Sequence, residues 1–208
     1  MAKKTHKSTE QARESILDAT QQIVFEVGPA GLRINAVAKK AGMAHPNILH
    51  HFGSREGLLN SLAIRIGERA TARTTNAITL ALHAPAEQKV EAMTHVLDTA
   101  YPGHEGKVAV WLHLSGSDSS LKDNMQQIVE LCHELRKSID GKVDRSDTSR
   151  LVMLVTLALV GEVISGEGVK QALGYGKQET DRAHFHRWLA EMLLNLSETD
   201  LSTTLKPK

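Results

Sequence analysis

Histidine gives this sequence its clearest capacity for chemistry, with 11 copies in 208 residues. An imidazole can bind a metal ion, move a proton or donate a hydrogen bond. The closest arrangements are His50 with His51, His184 with His186, and Cys132 with His133. Neighbours one or two positions apart on a helix point in different directions, so none of these pairs makes a good chelate. We therefore expect no metal site and no cofactor.

Patterns of catalytic residues are also missing. The sequence has no Gly-rich phosphate loop, no G-x-S-x-G elbow and no H-E-x-x-H pair. Aromatic residues make up only 3% of the chain, which argues against an aromatic-walled cofactor cleft or a base-stacking platform. We expect no catalytic residues, and an all-helical enzyme is the weakest of the functional alternatives.

The sequence shows no signal for secretion and no run that would insert into a membrane. The single cysteine, Cys132, cannot form an intrachain disulfide, and the polar stretch Met1 to Lys7 lacks the apolar core of a secretory signal. The strongest apolar run, Leu151 to Val160, falls below the ~20 residues that cross a bilayer. These observations predict a cytoplasmic protein that has no membrane partner and buries this run in a helix.

Apolar residues recur at steps of three and four almost throughout, which predicts an all-α fold of about nine helices. Gly, Pro and Ser turns separate them. The predicted helices run from Ser8 to Gly28, Arg33 to Gly42, His45 to His51, Arg55 to Ala81, and over about 86–100, 104–115, 119–140, 147–172 and 178–197. The charge is uneven, because residues 1–69 carry ten Lys/Arg and six Asp/Glu, whereas residues 70–208 carry fifteen and eighteen. A basic head of this kind suits a contact with phosphates.

Two short helices with a tight turn, between Arg33 and His51, have the pattern of a helix-turn-helix. Ala38 is small enough for a close helix crossing, Gly42 permits the turn, and Ile48 helps to form a small core together with Val37 and Met43. Such a core would hold the second helix at the surface, where its first residues can enter a DNA major groove.

The same segment resembles the DNA-binding domain of TetR-type transcriptional regulators. The resemblance covers residues 10–62 and lies in Val27-Gly28, Val37-Ala38, Ala41-Gly42-Met43, Pro46, His51-Phe52 and Ser54-Arg55-Glu56-Gly57-Leu58-Leu59. It implies a homodimer whose divergent C-terminal body binds a small-molecule effector and thereby weakens binding to an operator. It also implies two domains, a DNA-binding domain over residues 1–54 with a basic arm over 1–8, and a ligand-binding and dimerisation domain over 55–208.

By position, the resemblance assigns the DNA contacts. His45, Pro46 and Asn47 open the recognition helix and match base-contacting residues. Asn47 can bond an adenine edge, Pro46 can touch a thymine methyl and His45 can donate to guanine. The other DNA-binding candidates are the base-or-phosphate residue His50, the phosphate residues His51 and Arg55, and Arg33 and Asn35 at the start of the second helix. A polar solvated face, or a surface pair of Arg55 with a neighbouring acid, is the alternative.

The sequence departs from the family pattern at three positions. Leu49 replaces a common Tyr, Ala44 a common capping Ser, and Arg33 a capping Thr. Arg33 cannot cap in the same way, but its long side chain could reach the DNA backbone. Lys3, Lys4 and Lys7 could lie along the DNA as a basic arm, or serve only as a solubilising tail.

The body offers two sets of candidate residues. A broad apolar stripe on the last helix, with the apolar helix before it, predicts a dimer interface, although ordinary intrachain core explains part of it: Phe185, Trp188, Leu189, Met192, Leu193 and Leu196. Candidates for a ligand pocket are Met93, Trp111, His113, Met125, Met153 and Glu162. Each could be core instead, and Glu162 could pair with a cationic ligand, an Arg or His, or water.

The helix-turn-helix pattern favours a DNA-binding regulator, and the resemblance implies a ligand-responsive repressor that a small molecule releases from a palindromic operator. The partners would be double-stranded DNA, a second copy of the chain and a small-molecule effector. The alternative is a DNA-binding dimer that a protein partner controls, or an architectural one, without a small-molecule ligand.

Overall fold

The computed structural model describes residues 9–114, 121–139, 141–175 and 180–196. Over these ranges it contains nine α-helices and no strand, which confirms the all-α prediction. The helices are α1 Thr9–Val27, α2 Ile34–Ala41, α3 His45–Phe52, α4 Arg55–His83, α5 Lys89–Ala100, α6 Gly103–Leu114, α7 Leu121–Ile139, α8 Arg145–Ala172 and α9 Thr180–Asn195. The predicted cap Ser8 and the predicted arm residues Lys3, Lys4 and Lys7 lie outside the described residues.

The helix ends lie close to the predicted ones because turn residues set most of them. A left-handed residue, Gly42 with φ of 68°, ends α2, and Pro46 lies in the first turn of α3. Only the segment predicted as one helix over 86–100 is divided, since its first residues form a 3-10 turn over Ala86–Gln88 before α5 begins.

The chain forms two compact units, Met1–Gly67 with Lys107–Ser120, and Glu68–Gly106 with Leu121–Lys208. The first unit continues past residue 54, which we predicted as a domain boundary, because Leu58 and Leu62 in the first turns of α4 are fully buried in its core. The assignment of DNA binding to one domain and ligand binding to the other remains a prediction.

The first unit has an aliphatic core, as the composition predicts. One face of α1 buries residues at steps of three and four, and α4 and α6 add further side chains. The core includes Ile16, Val24, Val37, Ile48, Phe52, Leu58, Leu62, Ile66, Val108 and Leu112. Polar contacts add to it, because the buried Arg65 of α4 bonds to Asp18 of α1 at 2.7 Å and to Gln21 at 2.8 Å.

The second unit has two smaller apolar clusters. One joins α4, α5 and α7 through Ala77, Ile78, Ala81, Val96 and Leu135. The other joins α5, α8 and α9 through Leu97, Leu159, Leu189 and Ala190. Cys132 packs against the first cluster, and its burial raises the pKa of the thiol to about 12. The thiol is therefore protonated at neutral pH.

Helix α8 differs from its prediction. We expected the run from Leu151 to Val160 to be too short to cross a membrane and to be buried, but it belongs to a helix of 28 residues. Within the described residues, α8 is the one helix long and apolar enough to span a bilayer, a test that core helices of soluble proteins also pass. Much of it is exposed, since Met153, Leu154 and Leu157 are each more than half accessible.

Candidate nucleic-acid interface

A tight turn joins α2 to α3. The amide of Met43 donates to the carbonyl of Ala38 at 2.9 Å, and the amide of Gly42 donates to that of Lys39 at 3.3 Å, which is the hydrogen-bond pattern of a helix ending at a left-handed residue. Below the turn, Val37 and Ile48 are fully buried and Ala38 is nearly so. The turn and its small core therefore fix the direction in which α3 leaves α2.

The outer face of α3 is polar and exposed. His45, Pro46, Asn47 and His50 all face solvent, whereas Ile48 and Phe52 on the opposite face are buried. Ala44 precedes the helix in an extended conformation and makes no side-chain cap, as its residue type requires. The predicted base-contacting residues thus lie together on one accessible surface, which can present imidazole and amide groups to a ligand.

Arg13 of α1 holds the other end of α3, a contact that sequence reasoning missed. Its guanidinium donates to the carbonyl of His51 at 2.6 Å and lies 4.5 Å from the ring centre of Phe52. A cation over an aromatic ring and a charge-assisted hydrogen bond are both stabilising. Because the acceptor is a backbone carbonyl 38 residues away, no residue pattern signals this contact.

The N-terminal end of α2 carries two exposed candidates, Arg33 and Asn35. Arg33 lies at the cap position with φ of −123° and makes no side-chain cap, which agrees with the departure noted in the sequence. Two further cations, Lys39 and Lys40, lie on the exposed side of α2, and Lys40 pairs with Glu26 at 3.3 Å. The sequence analysis did not single out either lysine.

The start of α4 is tied to its surroundings by Ser54, Arg55 and Gly57. The Ser54 hydroxyl accepts the amide of Gly57 at 3.0 Å, which is a helix N-cap. Arg55, which we predicted as a phosphate contact, donates to the backbone carbonyls of Pro29, Ala30 and Leu32. Its pairing with Glu56 at 3.4 Å is the surface pair named as the alternative.

The six candidate pocket residues do not form one site within either unit. Trp111 and His113 belong to the first unit, where Trp111 borders an open apolar depression of about 330 Å³ beside Pro29 and Leu114. The others belong to the second unit: Met93, Met125, Met153 and Glu162. Met93 packs in the core and Met153 is 59% exposed, so their positions do not converge.

Glu162 finds its partners within its own chain. Its carboxylate bonds to Nε2 of the fully buried His186 at 2.9 Å and to Lys170 at 2.9 Å, and Arg182 lies 3.5 Å away. Burial raises the pKa of Glu162, but the hydrogen bonds from His186 and Lys170 and the charges of His186 and Arg182 outweigh it, so that the pKa falls to about 2.

The other nitrogen of His186, Nδ1, lies 2.6 Å from a carboxylate oxygen of Asp98. His186 of α9 therefore joins α5 to α8 through two carboxylates. We call Glu162, Lys170, Arg182, His186 and Asp98 the charge cluster of the second unit.

The apolar stripe predicted on α9 divides into core and surface. Leu189 is 5% exposed, and Phe185, Met192 and Leu193 pack against the same cluster, so intrachain core explains this part. Leu196, the last residue of the stripe, is partly buried beyond the end of α9. Trp188 is 56% exposed and points away from the core.

Residues 16–62 match the bacterial regulatory proteins of the tetR family. The HTH-type transcriptional regulator BetI of Stenotrophomonas maltophilia is 41% identical over 49 residues, which cover 24% of this chain and 25% of that protein. The tetracycline repressor protein class D of Escherichia coli is 35% identical over 54 residues, covering 26% and 25%. The matched stretch thus spans about a quarter of the length of these curated relatives.

Solved structures resemble most of the chain at low identity. Salmonella enterica GusR has a TM-score of 0.62 at 16% identity and covers 92% of this chain and 99% of its own. The multidrug binding protein EbrR, solved with imidazole, has a TM-score of 0.55 at 17% identity and covers 90% and 97%. These likenesses show that about nine-tenths of this chain shares the fold of those proteins.

Proposed function

We propose that this chain is a DNA-binding transcriptional regulator of the tetR family, because its residues 16–62 match the bacterial regulatory proteins of that family. The observation that carries this proposal is the exposed row of His45, Pro46, Asn47 and His50 on a helix whose opposite face is locked into a core. Polar groups held on a rigid helix are what direct readout of base edges requires.

In the proposed complex, α3 lies in the major groove. Asn47 bonds an adenine edge in bidentate fashion, His45 donates to guanine acceptors and Pro46 contacts a thymine methyl. His50 contacts a base or a phosphate, while Arg33 and Asn35 of α2 and His51 lie along the DNA backbone. Lys39 joins this set, because its exposed side chain adds a cation in the last turn of α2.

Removal of the base-reading groups tests this proposal. We expect His45→Ala with Asn47→Ala to lower the affinity for the operator by about tenfold or more, since each bidentate contact contributes about 1–3 kcal/mol. The measurement is fluorescence anisotropy with duplexes that tile the DNA around the gene of the protein, at two salt concentrations. Binding to duplexes of unrelated sequence should change little.

The matched control is His95→Ala with Gln126→Ala, which removes an imidazole and an amide from exposed positions of the second unit. This control should bind every duplex like the parent protein. Equal binding of all tiles by the parent protein would contradict sequence-specific regulation. Equal losses in both double variants would contradict the assignment of the contacts to α3.

We further propose that the regulator is a homodimer, with α8 and α9 at its two-fold interface. The support is the exposed apolar surface of α8, where Met153, Leu154, Leu157 and Ile164 are each more than half accessible, together with Trp188 of α9. A surface of this kind is usually covered by a partner. Two recognition helices would then meet half-sites about one helical turn apart, or ~34–36 Å.

A charge in this surface should separate the two copies. We expect Leu157→Glu to convert a dimer into a monomer by light scattering at micromolar concentration, because the carboxylate would lose its water on association. Leu80→Glu is the control, since Leu80 is 59% exposed on α4, and it should leave the mass unchanged. A parent protein with the mass of a monomer would refute the dimer.

The finer proposal is a repressor that a small molecule releases from a palindromic operator. Its support comes from similar proteins, since one is a tetracycline repressor and another is a multidrug binding protein. A ligand would act only if it binds the DNA-competent and DNA-incompetent shapes with different affinity. A screen for thermal stabilisation identifies such a ligand, whereas control by a protein partner predicts no stabilising small molecule. A cytoplasmic location follows from the proposed role.

A further inference from the structure

Arg55 has hydrogen-bond partners that its sequence position did not predict. Its Nε donates to the carbonyl of Leu32 at 3.0 Å, and one terminal nitrogen donates to the carbonyls of Pro29 and Ala30. The other terminal nitrogen bonds to Glu56 at 3.4 Å. A guanidinium has five N–H donors, so these contacts occupy four of them.

The three carbonyls that Arg55 binds belong to the turn between α1 and α2. This turn includes no buried side chain other than Leu32, which is 2% exposed. Arg55 on α4 donates to three backbone carbonyls of this turn and so ties it to the start of that helix. The turn leads directly into Arg33 and α2, so its conformation sets where α2 begins.

Electrostatics also argues against a direct phosphate contact. The side chain of Arg55 is only one-third exposed, and the carboxylate of Glu56 lies 3.4 Å from its guanidinium. A phosphate that approached this site would meet the negative charge of Glu56 and a guanidinium with only one N–H donor left over from its contacts within the chain.

We propose that Arg55 is a positioning residue for DNA binding, which fixes the α1–α2 turn, and hence the start of α2, against the N-terminal end of α4 without contacting DNA. This inference rests on the proposed function. Under this proposal, Arg55 affects how well the helix-turn-helix fits its operator. It does not change the number of DNA phosphates that the protein neutralises.

The test is a pair of substitutions, Arg55→Lys and Arg55→Ala, in the full-length protein. Fluorescence anisotropy is measured over a salt series with the tile that the parent protein binds most tightly and with a scrambled duplex of equal length. Lysine keeps the charge but lacks the planar fork that reaches three carbonyls. We expect both variants to lose about tenfold in affinity for the operator tile and to bind the scrambled duplex like the parent protein with an unchanged salt slope.

Arg65→Lys is the matched control, because it also removes guanidinium contacts between α4 and α1 but does not touch the turn. It should leave the ratio of operator to scrambled binding unchanged, and circular dichroism verifies that each variant is folded. A salt slope on either duplex lowered by about one unit in Arg55→Ala and restored in Arg55→Lys would overturn the proposal in favour of a phosphate contact.

Three further outcomes also decide against the proposal. Parent-like discrimination in Arg55→Lys and Arg55→Ala would overturn it while leaving the proposed function intact. An equal loss of discrimination in Arg65→Lys would reduce Arg55 to one of several stabilising contacts. A parent protein that binds neither duplex would overturn both the proposed function and the role of Arg55. This outcome is seen first, because the parent protein is measured before any variant.

Discussion

Glu162→Gln is expected to destabilise the protein by about 3 kcal/mol at pH 7, because the neutral amide leaves the charges of Lys170 and Arg182 without their carboxylate in a largely buried site. The pKa of Glu162 falls from 4.5 to about 2 on folding, which corresponds to a similar free energy. Urea unfolding at a fixed protein concentration measures the change.

The same substitution should alter the pH dependence of stability. A carboxyl with a lowered pKa in the folded protein stabilises it above the unfolded value of 4.5, and this contribution is lost as the pH falls from 4.5 towards 2. Glu162→Gln should therefore lose less free energy of unfolding than the parent protein between pH 5 and pH 3, as measured by urea unfolding at each pH.

Glu91→Gln is the matched control for both measurements. Glu91 also pairs with an arginine, Arg187, at 2.9 Å, but both side chains are more than half exposed. An exposed pair contributes little, so we expect Glu91→Gln to change the stability far less than Glu162→Gln does. Equal effects of the two substitutions would show that burial of the charge cluster does not determine its contribution.

Gly57→Ala is the second substitution with a large expected effect. A Cβ at this position would overlap the backbone carbonyl oxygen of Phe52, which cannot move aside like a flexible side chain. Phe52 is the last residue of α3 and Gly57 lies in the first turn of α4, so relief of the overlap would change the connection between these helices. We expect a loss of about 2–3 kcal/mol in stability and a loss of operator binding.

Gly168→Ala is the control, and we expect it to raise the stability that Gly57→Ala lowers. Gly168 lies in α8, and nothing stands within 4 Å of a Cβ added there. Alanine in a helix interior is favoured over glycine by about 0.5–1 kcal/mol, so this variant should unfold at higher denaturant concentration. A Gly57→Ala protein as stable as its parent would contradict the close approach of α3 and α4.

The fold could be predicted closely because local signals set the helix ends. Gly42 ends α2, Pro46 lies in the first turn of α3 and Ser54 caps α4, and each of these effects acts within a few residues. The exposed row on α3 could be predicted for the same reason, since the burial of Ile48 fixes which face of an eight-residue helix points outward.

The contacts between distant segments could not be predicted. Arg13 and Arg55 bind backbone carbonyls, which every residue type carries, so no spacing in the sequence indicates them. The partners of Glu162 depend on how α9 lies along α8, and an apolar stripe does not define that alignment to one residue. The exposure of α8 likewise reflects which elements cover it, a property of the tertiary structure.

The protonated thiol of Cys132 makes the chain convenient for spectroscopy. Cys132 is the only cysteine in the sequence, and burial raises the pKa of its thiol to about 12. We therefore expect this thiol to react slowly with maleimide or methanethiosulfonate reagents at neutral pH. A cysteine introduced at the exposed Lys39 would therefore be the preferred labelling site in the native background. Spin labels there would report the distance between the two recognition elements of a dimer, with and without an effector, in solution.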